Sequence, residues 1–187
     1  MDDRELWEAY AWPERCVRVN FVTTLDGQVT GPDGRSGSLS STEDRRIFHM
    51  LRAGADAILV GAGTARIEQY RKPAVKPEWL QFRGSSEPPV LIMVTRTGNV
   101  PDIEGAITVD GTDLAAVTND YPRILCEGGP HLFTALLEQD LVDEFTLTLD
   151  GRLGGGRSLL TSPVTAKARP QHVHSDADGL YTIWTLR

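Results

Sequence analysis

Three short, uninterrupted apolar stretches constrain this chain more than any other feature: AILV at 57–60, VLIMV at 90–94 and ILC at 124–126. Their length and lack of alternation predict strands covered on both faces, as in a parallel sheet with helices on either side. The flanking segments agree. STEDRRIFHMLRAG, from Ser41, offers hydroxyl N-caps, first-turn acids, apolar residues at 47, 48 and 51, and Gly54 as a stop, which together predict a helix. EGGPHLFTALLEQ, after ILC, predicts a Gly-Gly turn and an amphipathic helix with Pro130 in its first turn. At the start, CVRVNFVT at 16–23 predicts a strand with Asn20 as its polar interruption. Asp26-Gly27 predicts a tight reversal that returns 28–30 beside that strand, before a Gly- and Ser-rich loop over 31–41. A weaker strand is expected at 106–109, and 66–89, rich in charge, Pro and Gly, reads as loop with some helix. EFTLTL at 144–149, HVH and LYTIWTL alternate, predicting antiparallel strands that close the sheet. The expectation is an α/β sandwich in three layers, a mixed central sheet with antiparallel C-terminal strands, formed as a single domain over the 187 residues.

Composition narrows the function. Lys plus Arg at 19 against Asp plus Glu at 26 gives a net charge of −7, a field that repels phosphate polymers and anionic membranes, so neither nucleic acid nor membrane is an expected partner. Cys16 and Cys126, each beside an apolar run, are too few for a disulfide framework and read as buried thiols. The opening MDDRELWEAYAWPE has no apolar core of a signal peptide, which points to a cytoplasmic protein. His49, His131, His172 and His174 lack companions at metal-ligand spacing, so no metal is expected, and no G-x-S-x-G elbow or P-loop occurs.

Two glycine-rich junctions follow buried strands: Gly61-Ala62-Gly63-Thr64 and Glu127-Gly128-Gly129-Pro130. Bare N–H groups at such helix starts, with no Cβ to block approach, suit a phosphate or pyrophosphate. A tight strand-to-helix turn needs glycine with or without a ligand, so either junction alone is ambiguous and the pair is what favours a ligand. GAGTAR puts Arg66 where a dinucleotide fingerprint needs its third glycine. After VLIMV, Thr95-Arg96-Thr97 combines hydroxyls with a guanidinium and could hold a phosphate monoester such as an adenosine 2′-phosphate; a solvated arginine is the plainer explanation.

Taken together, RVNFVTTLDGQVT, STEDRRIFHMLRAGADAILVGAGTARIE, LIMVTRTG and ILCEGGPHLFTALLEQDLVDEFTLTL resemble the reductase domain of bacterial riboflavin biosynthesis. The resemblance implies a dihydrofolate-reductase-like fold and an NADPH-dependent reduction of a ribosylaminopyrimidine, 5-amino-6-(5-phosphoribosylamino)uracil, at its ribosyl carbon. By position it implies cofactor contacts at Thr64, near Arg96 and at Gly128 through Pro130, His131, Leu132 and Phe133, to which the junction and turn read above add Gly61, Gly63 and Thr95. Substrate contacts fall at Asn20, Ser36, Arg52 and Glu127, with Glu127, Asp26 and Glu68 as candidates closest to the chemistry. It also implies a homodimer, with LVDEFTLTL and the C-terminal strands as a pairing edge. Two departures stand out: Ser38 replaces a usual tryptophan, and Glu68-Gln69-Tyr70-Arg71-Lys72 replaces an Asp-Asp/Asn-Pro, Leu-Thr-x-Arg segment, leaving the substrate's phosphate-binding arginine without a counterpart. These departures keep two alternatives open, a dihydrofolate or other pterin reductase and a non-catalytic NADPH-binding regulator.

Overall fold

The computed structural model describes residues 1–186. Eight strands form one sheet: β1 (Cys16–Thr24), β2 (Ala57–Gly61), β3 (Val90–Thr95), β4 (Ile107–Asp110), β5 (Arg123–Cys126), β6 (Glu144–Asp150), β7 (Arg169–Ser175) and β8 (Gly179–Thr185). Their order across the sheet is β4-β3-β2-β5-β1-β6-β8-β7. The first six of that order are mutually parallel, while β8 runs antiparallel to β6 and β7 antiparallel to β8.

Six helices cover it: α1 (Asp3–Ala9), α2 (Thr42–Gly54), α3 (Ala62–Ile67), α4 (Pro77–Arg83), α5 (Leu114–Asp120) and α6 (Pro130–Glu138). Alternate strand residues sort them onto two faces, because successive side chains point to opposite sides of a strand. Val19, Leu59, Ile92 and Cys126 pack with Leu114 of α5 and Leu132 and Leu136 of α6. On the other face, Leu125 and Ile183 pack with Leu6 of α1, Ile47 and Leu51 of α2 and Trp79 of α4, while Ile58 and Leu91 pack with Ala65 of α3. This is a three-layer α/β sandwich with a mixed sheet and antiparallel C-terminal strands, as expected. Each apolar side chain buried this way contributes about 1.5–3 kcal/mol, which is why a central strand such as β2 needs no alternation.

Helix α2 starts where its local sequence stops it from starting earlier. Ser41 is extended at φ −77°, ψ 178°, and its Oγ accepts the Asp44 N–H at 3.0 Å. Ile47, Met50 and Leu51 then recur on one face and lie buried.

Several expectations change. Residues 28–30 do not form a return strand: Gln28 meets β1 at Thr24 alone, its carbonyl accepting the Thr24 N–H at 2.9 Å and its N–H donating to the Thr24 hydroxyl at 3.0 Å, and it bridges Ser158 instead. The alternating β6 is antiparallel to β8, as expected of the closing strands, but parallel to β1, and with both sides paired it offers no pairing edge. The edges of the sheet are β4 and β7. Cys16 and Cys126 are buried free thiols, and burial pushes the Cys126 thiol up to about 12.

Candidate active site

Because β2 and β5 are neighbours, the two glycine junctions lie side by side at the carboxyl edge of the sheet. The Gly61 N–H donates to the Gly128 carbonyl at 2.8 Å, and the Glu127 N–H to Leu59 at 2.9 Å. Packing here leaves no room for side chains. Gly128 has φ +84°, and a Cβ there would stand 2.7 Å from Phe21 Cζ; a Cβ on Gly129 would stand 2.5 Å from Thr64 Oγ1. The left-handed conformation belongs to Gly128 alone, since Gly129 is extended at φ −79°.

Helix α6 begins at Gly129 without a side-chain cap. The Phe133 N–H bonds back to the Gly129 carbonyl, Pro130 has no N–H, and the N–H groups of His131 and Leu132 belong to the first turn, which has no intrahelical acceptor for them. They border a groove of about 480 Å³ lined by Gly61, Gly63, Thr95, Arg96, His131 and Leu132. An anionic group fits this border, as bare donors and the positive end of a helix both favour it. Arg96 stands exposed on the turn after β3. That turn is organised by Thr95, whose Oγ1 accepts the N–H groups of Thr97 and Gly98 at 3.2 and 3.1 Å. The side chains of Leu132 and Phe133 point into the core, 6% and 3% exposed, and the Phe133 ring stacks on Phe145 at 5.2 Å. The Phe133 contact with cofactor implied by sequence position is therefore corrected: its side chain serves the core and its N–H is already bonded.

On the other side of the junctions lies a cleft of about 470 Å³, bordered by Thr64, Gly129 and Pro130 and lined by Asn20, Ser36, Arg52, Glu68 and Glu127. At its inner end Arg52 grips Glu127 in a two-pronged pair, Nε to Oε1 and Nη2 to Oε2, both 2.7 Å. The Tyr70 hydroxyl donates to Glu127 Oε2 at 2.6 Å. Arg52 also lies over the Phe48 ring at 4.3 Å. Burial alone would lower the Arg52 guanidinium, but the Glu127 carboxylate beside it outweighs burial and raises it. Burial, then Glu127, holds the Tyr70 phenol well above its ordinary range.

Glu127 is thus a buried carboxylate fixed by a cation and a phenol rather than by the N–H groups of the following helix. Around the cleft, Glu68 Oε1 accepts the Ser36 N–H at 2.8 Å and ties the 31–41 loop to the end of α3. Asn20 Oδ1 accepts the Thr146 hydroxyl at 2.8 Å. Asp26 is not brought here. It is exposed, lines neither cavity, and its carboxyl bonds the Thr24 hydroxyl at 2.6 Å and the Gly154 N–H at 2.9 Å, which hold it below the usual carboxylate range. A reacting role for Asp26 is withdrawn on that geometry.

Sequence reasoning passed over three cleft residues. Tyr70 sits in a stretch with no periodic signal, Phe48 looked like an ordinary apolar helix position, and Asp44 looked like a first-turn acid facing water. Asp44 is in fact 5% exposed. Only the i, i+4, i+8 spacing of Asp44, Phe48 and Arg52 could have signalled a common face.

The family model of the RibD C-terminal domain matches residues 15–182. Among curated relatives, the 2,5-diamino-6-ribosylamino-4(3H)-pyrimidinone 5′-phosphate reductase of Archaeoglobus fulgidus is 27% identical over 180 residues, covering 75% of this chain and 82% of that protein. The riboflavin biosynthesis protein RibD of Mycobacterium tuberculosis is 28% identical over 159 residues, covering 80% of this chain but 44% of its own length. Among solved structures, a pyrimidine reductase-like protein from Corynebacterium diphtheriae superposes with a TM-score of 0.80 at 21% identity, covering 97% of this chain and 98% of that one. A dihydrofolate reductase from Enterococcus faecalis, complexed with NADP(H), gives 0.62 at 12% identity, covering 92% of this chain and 96% of its own. At these identities the two structures speak for the fold.

Proposed function

Because the chain belongs to the RibD C-terminal domain family, we propose that it is an NADPH-dependent reductase acting on a ribosylaminopyrimidine 5′-phosphate of riboflavin biosynthesis. One observation carries this reading: the groove bearing Arg96 and the cleft bearing Glu127 adjoin along the wall made by the 61–64 and 128–130 turns. A donor bound in the first and an acceptor bound in the second would meet across Thr64 and Gly129, the proximity that a bimolecular transfer requires. The dinucleotide, when bound, supplies the hydride.

The residues of the chain hold and orient. The His131 and Leu132 N–H groups with the 61–64 turn would hold the pyrophosphate, and Thr95 and Arg96 would hold the 2′-phosphate. Arg52 fixes both Glu127 oxygens, and lone pairs left on that carboxylate accept a substrate hydroxyl or N–H. Tyr70, kept protonated by burial and by Glu127, holds the carboxylate from its other side. Glu68 fixes the Ser36 loop that closes the cleft. The acceptor would be C1′ of the ring-opened ribosyl imine, which the bound dinucleotide would reduce to a ribitylamine, the imine nitrogen taking its proton from water. Arg45, Arg71 and Arg157 line the cleft and are available to a 5′-phosphate, as is Lys72, which is paired with Glu104.

The test is steady-state oxidation of NADPH with the ribosylaminopyrimidine 5′-phosphate, with the ribityl product identified by mass. Tight NADPH binding with no turnover of any such pyrimidine would refute it. The reading includes a homodimer formed on the β7 edge, where Val173 is 51% exposed. Light scattering that returned the monomer mass at every concentration would remove that part.

A further inference from the structure

One residue singled out in the sequence has no part in the chemistry above. Arg66 stands in GAGTAR where a dinucleotide fingerprint has its third glycine, the residue that lets helix and strand pack closely. Helix α3 has no need of it, because Ala62 and Ala65 are the residues it buries and Arg66 is exposed. A long charged side chain is free for another task.

Its guanidinium does not trail into water. Gly63 and Arg66 are three residues apart on one helix face, and a Cβ placed on Gly63 would stand 3.9 Å from Arg66 Nη2, so the arginine folds back along α3 over the bare glycine. Its Nη1 donates to the Asn99 carbonyl, on the turn that follows β3. The same turn carries Arg96, whose Cγ would lie 3.8 Å from a Cβ on Gly111, just past β4. Strand register brings these parts together: β2 and β3 are parallel neighbours with Gly61 level with Val94, so α3 and the Arg96 turn leave the sheet side by side. Both arginines line the groove.

Neither is neutralised by the protein. Arg18, Arg46, Arg52, Arg123 and Arg152 each pair with a carboxylate, whereas Arg66 and Arg96 have no ion pair among the described residues. Among the described residues that line the groove Glu138 is the one acid; it accepts the Ser162 hydroxyl at 2.8 Å, about 10 Å along α6 from His131. Two adjoining cations without a counter-charge, in a chain of net charge −7, mark a place for a multiply charged anion. A phosphate monoester, close to doubly ionised at neutral pH, answers both guanidiniums.

We propose that Arg66 is a second determinant of phosphate selectivity: it meets the 2′-phosphate from the α3 side as Arg96 meets it from the other, and its bond to Asn99 holds the turn that presents Arg96. Where the fingerprint has a glycine that serves packing, this chain has a cation that serves recognition. The proposal rests on the reading of the groove as a dinucleotide site.

The experiment measures dissociation constants for two pairs of ligands, NADPH with NADH and 2′,5′-ADP with 5′-AMP, in wild type, Arg66→Ala, Arg66→Gln and Arg66→Lys. Because Arg66 is exposed, all three variants should fold, and thermal melts check it. Arg66→Ala is expected to cut the preference for the 2′-phosphorylated member of each pair about tenfold, with NADH and 5′-AMP affinities unchanged. Arg66→Gln, which can still donate to Asn99, should cut it comparably, and Arg66→Lys should keep most of it. Added salt should shrink the preference more in wild type than in Arg66→Ala. An unchanged preference in the Ala or Gln variant would overturn the proposal, and so would equal weakening of both members of each pair, which would move Arg66 to the pyrophosphate; in these cases the dinucleotide groove stands. Wild type that binds both members of each pair equally would overturn the phosphate assignment of both arginines. Wild type that binds neither dinucleotide would overturn the groove reading itself, and the proposal with it.

Discussion

Replacing Glu127 by Gln tests the inner end of the cleft most directly. The Glu127 side chain is 2% exposed and that of Arg52 18%, so this ion pair sits where water cannot replace a lost partner. Gln keeps one acceptor. Its amide nitrogen faces Arg52 Nε in one orientation and Arg52 Nη2 in the other, so one of the two 2.7 Å contacts becomes donor against donor either way. Removing one partner of a buried pair costs about 3–5 kcal/mol, and the remaining stacking of Arg52 on Phe48 argues for the lower end, about 3 kcal/mol. For a chain of this length that corresponds to a fall in Tm of about 6–12 °C. Thermal melts and urea titrations read it, the urea midpoint shifting with an unchanged slope. The double replacement Arg52→Met with Glu127→Leu should recover most of the loss, because no charge is then left buried without a partner. Function should respond separately: NADPH affinity holds while kcat/KM falls at least about tenfold, the loss of one charge-assisted hydrogen bond. A Gln variant that melts within about 1 °C of wild type would refute the energetic argument. Unchanged kcat/KM would remove Glu127 from the substrate contacts.

Wild type should bind NADPH at least about tenfold more tightly than NADH, and Arg96→Ala should erode that preference by weakening NADPH; equal dissociation constants in wild type would sink the 2′-phosphate assignment. Gly129→Val should abolish NADPH binding with the circular dichroism spectrum preserved, because its Cβ lies 2.5 Å from Thr64 Oγ1 and its branches fill the wall between groove and cleft; normal binding would make this turn purely structural. Asp44→Asn should raise the Tm at neutral pH. The folded-state carboxyl titrates above its ordinary 3.8, so the wild-type contribution is fully present below the unfolded value and is lost as pH rises through the folded one; the two proteins should converge in acid, and an Asn variant less stable at neutral pH would contradict this.

The chain's local chemistry determines much of this protein by itself. Steric and hydrogen-bonding rules acting over a few residues set β2, β3 and β5 as doubly covered strands, start α2 at Ser41, open α6 with Pro130 and place glycines at 128 and 129. The resemblance, itself carried by those same segments, pointed to Ser36, Arg52 and Glu127, which the fold gathers into one cleft. Only the tertiary structure inserts β5 between β1 and β2, sets β6 parallel to β1, removes Asp26 from the site and turns Phe133 inward. It alone joins Arg52 and Tyr70 to Glu127 across separations of 75 and 57 residues and draws Asp44 out of water. The reason is physical: a turn or a cap is decided by neighbours in the chain, whereas a strand's place in the sheet and a buried charge's partner are decided by whichever distant groups satisfy them once the core has closed.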